Sequence, residues 1–195
     1  EHLGVAAPVE GAWKLLIELA ADSDQTERLA DALEGAELCG EPAVGVDTGA
    51  QQRLWQVRES VAEVLGLFGP PLKFDVSLPL SAIRGFSDAA AELIAGHAPE
   101  AIPVLFGHIG EGNLHLNVLR CSTESEAGLY AAMMTLIADS GGNVSSEHGV
   151  GSRKRDYVAM SRTEADIAAM RTVKAAFDPD GYLNRAVLFT HRARP

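Results

Sequence analysis

Two histidines, His108 and His115, stand seven positions apart around Gly110-Glu111-Gly112-Asn113, and the pair Glu147-His148 follows about thirty residues later. These side chains have the types and spacing from which a metal-centred active site is built. Glycine and asparagine between two runs of β-formers mark a hairpin loop, because those residues tolerate the left-handed backbone of tight turns. With the loop centred between Glu111 and Gly112, Ile109 faces Leu114 and His108 faces His115. The two imidazoles then become cross-strand neighbours with Cβ atoms roughly 5 Å apart, a gap that one ion bridges. Along the second strand the period of two turns Leu114, Leu116 and Val118 to one face and His115 with Asn117 to the other, which makes the polar face the working face. Zn²⁺ and similar ions accept imidazole nitrogen and carboxylate oxygen, and a catalytic site needs three protein ligands and one open position. His108, His115 and Glu147 fit that description. The same letters admit a plainer arrangement, with the histidines bonded to each other or to solvent and the glycine-flanked Glu147-His148 segment an ordinary turn.

The whole chain narrows the classes. At 195 residues with 47% apolar composition it can bury one sizeable core, and no run of eighteen apolar residues is present to span a bilayer. A formal charge of −11 opposes binding to nucleic acid, and apart from Arg153-Lys154-Arg155 the basic residues are scattered. Cys39 and Cys121 are far apart without metal-ligand spacing, which fits a reducing compartment and predicts a cytoplasmic protein. His2, His97 and His191 sit in the termini or at a helix end and are expected to be structural or solvent-exposed. The chain starts at Glu1 without an initiator methionine or an apolar leader, and we expect a piece of a longer polypeptide.

The elements that must position the site follow from periodicity. Gly11 to Ala20 reads as a buried strand, Asp24 to Leu33 as a short helix, and Cys39 to Asp47 as extended. Leu54, Val57, Val61, Val64 and Leu65 recur at helical spacing between Gly49 and Leu65. Leu72 to Leu78 is a strand stopped by Pro79, and Ser81 to Gly96 a helix. Pro103 to His108 and Leu114 to Leu119 form the hairpin. Thr123 to Ser140 is helical, Asn143 to Ser146 a brief strand, and Thr163 to Phe177 the last helix. Strands alternate with helices around a tight hairpin, which a purely parallel sheet would lack, so the fold class is α+β, ferredoxin-like, with helices on one face of an antiparallel sheet in a single domain. Without a phosphate loop or a Gly-x-Gly-x-x-Gly opening a helix, nothing suits this piece to hold a nucleotide cofactor by itself.

Several motifs together carry a family resemblance. His108-Ile-Gly-Glu-Gly-Asn-Leu-His115-Leu-Asn117, Glu147-His148-Gly149-Val150-Gly151 with Lys154, Arg58 with Lys73-Phe74-Asp75-Val76, and the tail Phe177-Asp-Pro-Asp-Gly-Tyr-Leu-Asn184 resemble the carboxy-terminal domain of FAD-linked oxidases. These are flavoenzymes of the D-lactate dehydrogenase, glycolate oxidase and D-2-hydroxyglutarate dehydrogenase type. The resemblance implies that FAD is held by a separate amino-terminal domain of the same polypeptide and that a small D-2-hydroxy acid is oxidised to the 2-oxo acid. It also implies metal ligation by His108, His115 and Glu147, with Zn²⁺ the expected ion, and proton removal by His148. Asn117, Arg58 and Lys73 resemble residues that orient the substrate and bind its carboxylate, and Asn184 the residue closing the site near the flavin. Glu111 stands where the family more often has aspartate, and Arg185-Ala186-Val187 follows Asn184 where proline, glycine and lysine are common.

The chemistry explains the residue types. An alcohol is too weak an acid to ionise at neutral pH, whereas bound Zn²⁺ lowers the pKa of a coordinated water from 15.7 to about 7, and a chelated α-hydroxyl responds in the same direction. A histidine with an unperturbed pKa near 6.5 then accepts the proton. An arginine fork and a lysine point charge suit a carboxylate. Two other classes remain open at this stage: a non-catalytic ferredoxin-like module for ligand binding or oligomerisation, in which the histidines are incidental, and a stand-alone zinc hydrolase. A homodimer is one assembly open to the chain.

Overall fold

The computed structural model describes residues 7–36, 38 and 40–189. Cys39, His2 and His191 lie outside the described residues. The chain divides into two compact units, Glu1–Leu67 and Phe68–Pro195.

The first unit holds α1 (Thr26–Leu33) and α2 (Thr48–Gly66). Asp24 Oδ1 accepts from the Thr26 backbone N–H at 2.8 Å, and Asp47 caps α2 by accepting from the Ala50 N–H at 2.9 Å. The strand expected over Gly11–Ala20 is not formed. Those residues are bends and irregular chain, with Trp13, Leu15, Ile17 and Leu19 exposed. Their alternating pattern is that of a strand, but a strand needs a neighbour's N–H and C=O groups, and no described segment pairs with this one. Residues 40–47 are likewise irregular rather than a paired strand.

The second unit carries β1 (Leu72–Ser77), α3 (Ile83–His97), β2 (Ile102–His108), β3 (Asn113–Leu119), α4 (Thr123–Asp139) and α5 (Glu164–Phe177). The sheet order is β1-β3-β2, antiparallel throughout, with the crossover helix α3 between β1 and β2. A single bridge, Ser77 to Asn143, marks the outer side of β1. This βαββα order is the α+β, ferredoxin-like arrangement, with the expected strand at Asn143–Ser146 reduced to that bridge.

Alternation along β1 and β3 divides the sheet into two faces. Leu72, Phe74 and Val76, with Leu114, Leu116 and Val118, are buried in one core with Phe86, Ala90 and Ile94 of α3 and Leu129, Met133, Met134 and Ile137 of α4. Each fully buried aliphatic or aromatic side chain of this kind contributes about 1.5–3 kcal/mol. Phe74 stacks on Tyr130 with ring centroids 5.2 Å apart. The other face presents Lys73, Asp75 and Ser77 on β1 opposite Asn117, His115 and Asn113 on β3. The helices therefore fix the sheet from behind and leave the polar side chains in front.

The hairpin register differs from the sequence expectation by one pair. His108 is opposite Asn113, and His115 is opposite Phe106, not His108. The connection is a 3₁₀ turn, Ile109–Glu111, closed by Gly112 in the left-handed region at φ 69°. Gly112 O accepts from the Leu78 N–H at 2.9 Å, and a Cβ at Gly112 would lie 2.0 Å from Leu78 O. This contact with the end of β1 moves the loop centre to between Gly110 and Glu111, and every pair shifts with it.

Candidate metal and acid–base site

Asp75 and His115 are direct partners across β1 and β3, and the segment after α4 brings Glu147 and His148 over them. His115 Nε2 lies 3.6 Å from Glu147 Oε2, and His115 Nδ1 lies 3.9 Å from Asp75 Oδ1. The His148 ring stacks parallel on His115 at 5.2 Å, and the Asn113 side-chain amide donates to Glu147 Oε1. One ligand atom from each of Asp75, His115, Glu147 and His148 can be chosen so that all lie within 4.8 Å of one another. Asp75 is buried, His115 half-buried, and Glu147 and His148 exposed, so the group is open to solvent on the Glu147–His148 side.

The turn carrying Glu147 is organised by Asp75. Its Oδ2 accepts from three consecutive backbone N–H groups, Ser146 at 3.0 Å, Glu147 at 2.9 Å and His148 at 2.9 Å. The buried Lys154 ammonium approaches the same oxygen at 3.4 Å and Ser145 Oγ at 3.4 Å. Burial alone would raise the Asp75 carboxyl, but the His148 N–H, the Lys154 charge, the His148 charge and the Ser146 N–H outweigh it, and its pKa lies below the usual carboxylate value. Burial holds the Lys154 ammonium below the ordinary lysine value, with Asp75 opposing that shift.

The donor set suits a divalent cation. His115 Nε2 and Glu147 Oε2 stand side by side, and imidazole nitrogens and carboxylate oxygens are the ligands that borderline ions accept. Lys154 balances Asp75, so the charge of Glu147 beside two imidazoles is left to attract a cation.

The expected site residues are distributed as follows. His115, Glu147 and His148 come together. His108, exposed at the end of β2, is not in that group; it occupies the position diagonal to His115, opposite Asn113. Lys73 is exposed and opposite Asn117, which is buried and donates through its amide to the His115 carbonyl at 3.4 Å. Arg58 lies on α2 in the first unit. Asn184 follows α5 at a positive φ of 45°, with its carbonyl accepting from the Val187 N–H. His97 Nδ1 meets the Leu93 carbonyl at 3.0 Å at the end of α3, a structural position. Asp75 and Asn113 received no role from the sequence, and Lys154 stood out there only beside the Glu147-His148 motif and within the basic run. The available signal was a carboxylate inside an alternating strand, on the same face as Lys73.

Fold and site together define an α+β domain with a histidine–carboxylate cluster on the face of its sheet opposite α3 and α4. The family described as FAD linked oxidases, C-terminal domain, matches residues 1–188, and the chain belongs to that family. It is 33% identical to a D-2-hydroxyglutarate dehydrogenase of Stutzerimonas stutzeri over 95% of this chain and 42% of that protein. It is 36% identical to one of Xanthomonas citri over 93% of this chain and 41% of the other. It is also 36% identical to the mitochondrial D-2-hydroxyglutarate dehydrogenase of Bos taurus, over 94% and 35% respectively. The chain thus spans less than half the length of these curated relatives. Among the described residues no helix is long and apolar enough to cross a membrane.

Proposed function

We propose that this chain is the substrate- and metal-binding part of an FAD-dependent dehydrogenase that oxidises a small D-2-hydroxy acid to the 2-oxo acid, acting with an amino-terminal FAD domain of the same polypeptide. The observation that carries the reading is the convergence of His115, Glu147 and His148 with Asp75 on the polar face of the sheet. Family membership supports FAD as the redox cofactor, and the names of the relatives support a 2-hydroxy acid as substrate.

His115 and Glu147 would hold the cation, with His108 as third ligand from its diagonal position, where cross-strand side chains are roughly 7–8 Å apart at the backbone. When bound, a divalent ion such as Zn²⁺ supplies Lewis acidity to the α-hydroxyl, and FAD supplies the acceptor for the hydride leaving the same carbon. His148 takes the hydroxyl proton on its imidazole; its exposed position beside His115 gives it access to a substrate in front of the sheet. Lys73 is proposed to bind the substrate carboxylate and Asn117 to orient it, with Arg58 carried over for the carboxylate and Asn184 for the flavin side on the family resemblance alone. The low cysteine content favours a reducing compartment, the cytoplasm, and a homodimer is the assembly to look for by light scattering.

The test uses the full-length polypeptide. Metal analysis should return about one divalent ion per chain, and a panel of D-2-hydroxy acids with a dye acceptor should give turnover that depends on that ion. Full turnover by protein stripped of metal would overturn the metal-assisted step. Lack of turnover with every 2-hydroxy acid would favour the non-catalytic module.

A further inference from the structure

We propose that the buried Lys154–Asp75 pair pre-forms the Glu147–His148 turn before any cation arrives, making Asp75 and Lys154 positioning residues of the site. The proposal rests on the metal reading above and goes beyond it in naming what builds the site.

Three successive N–H groups aimed at one oxygen require a concave backbone, the kind of nest that ordinarily binds an anion. Here the anion is part of the protein. Asp75 is delivered from β1, more than seventy residues before the turn it holds, and fills the concavity with Oδ2. Those three bonds fix the direction in which the side chains of Glu147 and His148 leave the turn, which sets Glu147 Oε2 near His115 Nε2 and the His148 ring parallel to that of His115.

Lys154 supplies the counter-charge that such a carboxylate needs, since an ionised group removed from water is costly unless paired. It is only 8% exposed. Its own backbone is held on both sides, by its N–H to the Val150 carbonyl at 3.2 Å and its carbonyl to the Tyr157 N–H at 3.0 Å. Its neighbour Arg153 points elsewhere, to Glu126 and over the Tyr130 ring at 4.3 Å, which anchors the segment to α4. The basic run is therefore divided by function, with Arg153 on the helix layer and Lys154 on the site. A buried ion pair is a poor means of stabilising a fold, because desolvation offsets most of the attraction. Fixing a geometry is what this pair does well.

Asp75 acts here as an orienting residue rather than a ligand. Oδ2 is already occupied by four donors, and Oδ1 faces the Nδ1 edge of His115. At 3.9 Å this is a charge contact rather than a hydrogen bond, and the loss of a residue that supports metal ligands from behind typically costs about 10–100-fold in metal affinity.

The first test needs no variant. In full-length protein stripped of metal, the amides of Ser146, Glu147 and His148 should exchange with solvent as slowly as those of β3. Exchange as fast as at Gly149–Ser152 would mean that the turn is not pre-formed, and would overturn the proposal. The second test measures Zn²⁺ affinity by chelator competition for Asp75→Asn, Lys154→Met and the double variant, with thermal unfolding as the folding control. Each single variant should lose about 10–100-fold, and the double variant should bind no worse than the weaker single, because the two act as one unit. Wild-type affinity in either single variant, or additive losses in the double, would overturn the pair's role and leave the metal reading standing. A wild-type protein that binds no divalent ion would remove both.

Discussion

The imidazoles of His115 and His148 lie parallel, their planes 7° apart and their centroids separated by 5.2 Å. Their surroundings differ. His115 is wedged between Asp75 on one edge and Glu147 on the other, whereas His148 stands at the exposed rim. The proposed function assigns holding of the cation to His115 and proton transfer to His148. His148→Ala should keep its metal and lose about 10²–10⁴-fold in kcat, the usual contribution of a general base, while His115→Ala should lose the metal itself. Metal analysis beside steady-state kinetics checks both, and loss of metal in His148→Ala would move that residue into the ligand set.

Metal removal should also be visible in stability. A cation that binds only the folded chain stabilises it by about 2.7 kcal/mol at a free concentration of a hundred times Kd. Thermal unfolding with and without chelator should show that Tm rises with added Zn²⁺, and a Tm indifferent to metal would contradict a site formed only on folding.

Gly112 is a mechanical part of the hairpin. Its φ of 69° and a Cβ position 2.0 Å from Leu78 O leave no room for a side chain. Gly112→Ala should cost roughly 1–3 kcal/mol from the left-handed backbone alone, with the clash at Leu78 added. Urea unfolding measures the loss, and a neutral result would show that the loop has another low-energy path.

The end of α5 should respond to acid. Asp178 accepts from the Lys174 ammonium and from the Tyr182 and Leu183 N–H groups, and the Lys174 bond first, then the two N–H bonds, outweigh its burial and hold its carboxyl below the usual value. A carboxyl lowered on folding stabilises above its unfolded pKa of about 3.9, and that contribution fades as pH falls through the lower folded value. Asp178→Asn should therefore speed exchange at the Tyr182 and Leu183 amides near pH 6, with the difference from wild type narrowing in acid. A difference that persists unchanged to low pH would exclude the charge as its source.

Local rules made much of this protein legible. Alternation in Leu114 to Leu119 assigned the core face and placed His115 and Asn117 on the polar one, because side-chain direction in a strand depends on nothing beyond the strand itself. The helix read over Thr163 to Phe177 is α5, which the structure starts one residue later with Thr163 as its cap in a reciprocal Thr163–Asp166 capping box. Glu147 and His148 were recognisable as chemistry because two ionisable groups stood together among glycines, without any knowledge of what lay opposite them.

Pairing between distant segments was decided only in three dimensions. The strand pattern in Gly11–Ala20 found no partner among the described residues, and a pattern without a partner makes no ladder. Closure of the hairpin depended on Gly112 meeting Leu78, so His115 came to face Phe106 instead of His108. Asp75 and Lys154, 79 residues apart, are unremarkable charges in the chain and become one buried pair only when β1 and the segment after α4 are brought together. Periodicity is a property of neighbours along the backbone, and the sequence therefore carried the faces and the candidate ligands. Register and long-range ion pairs arise from where loops close against other elements, and the tertiary structure alone set them.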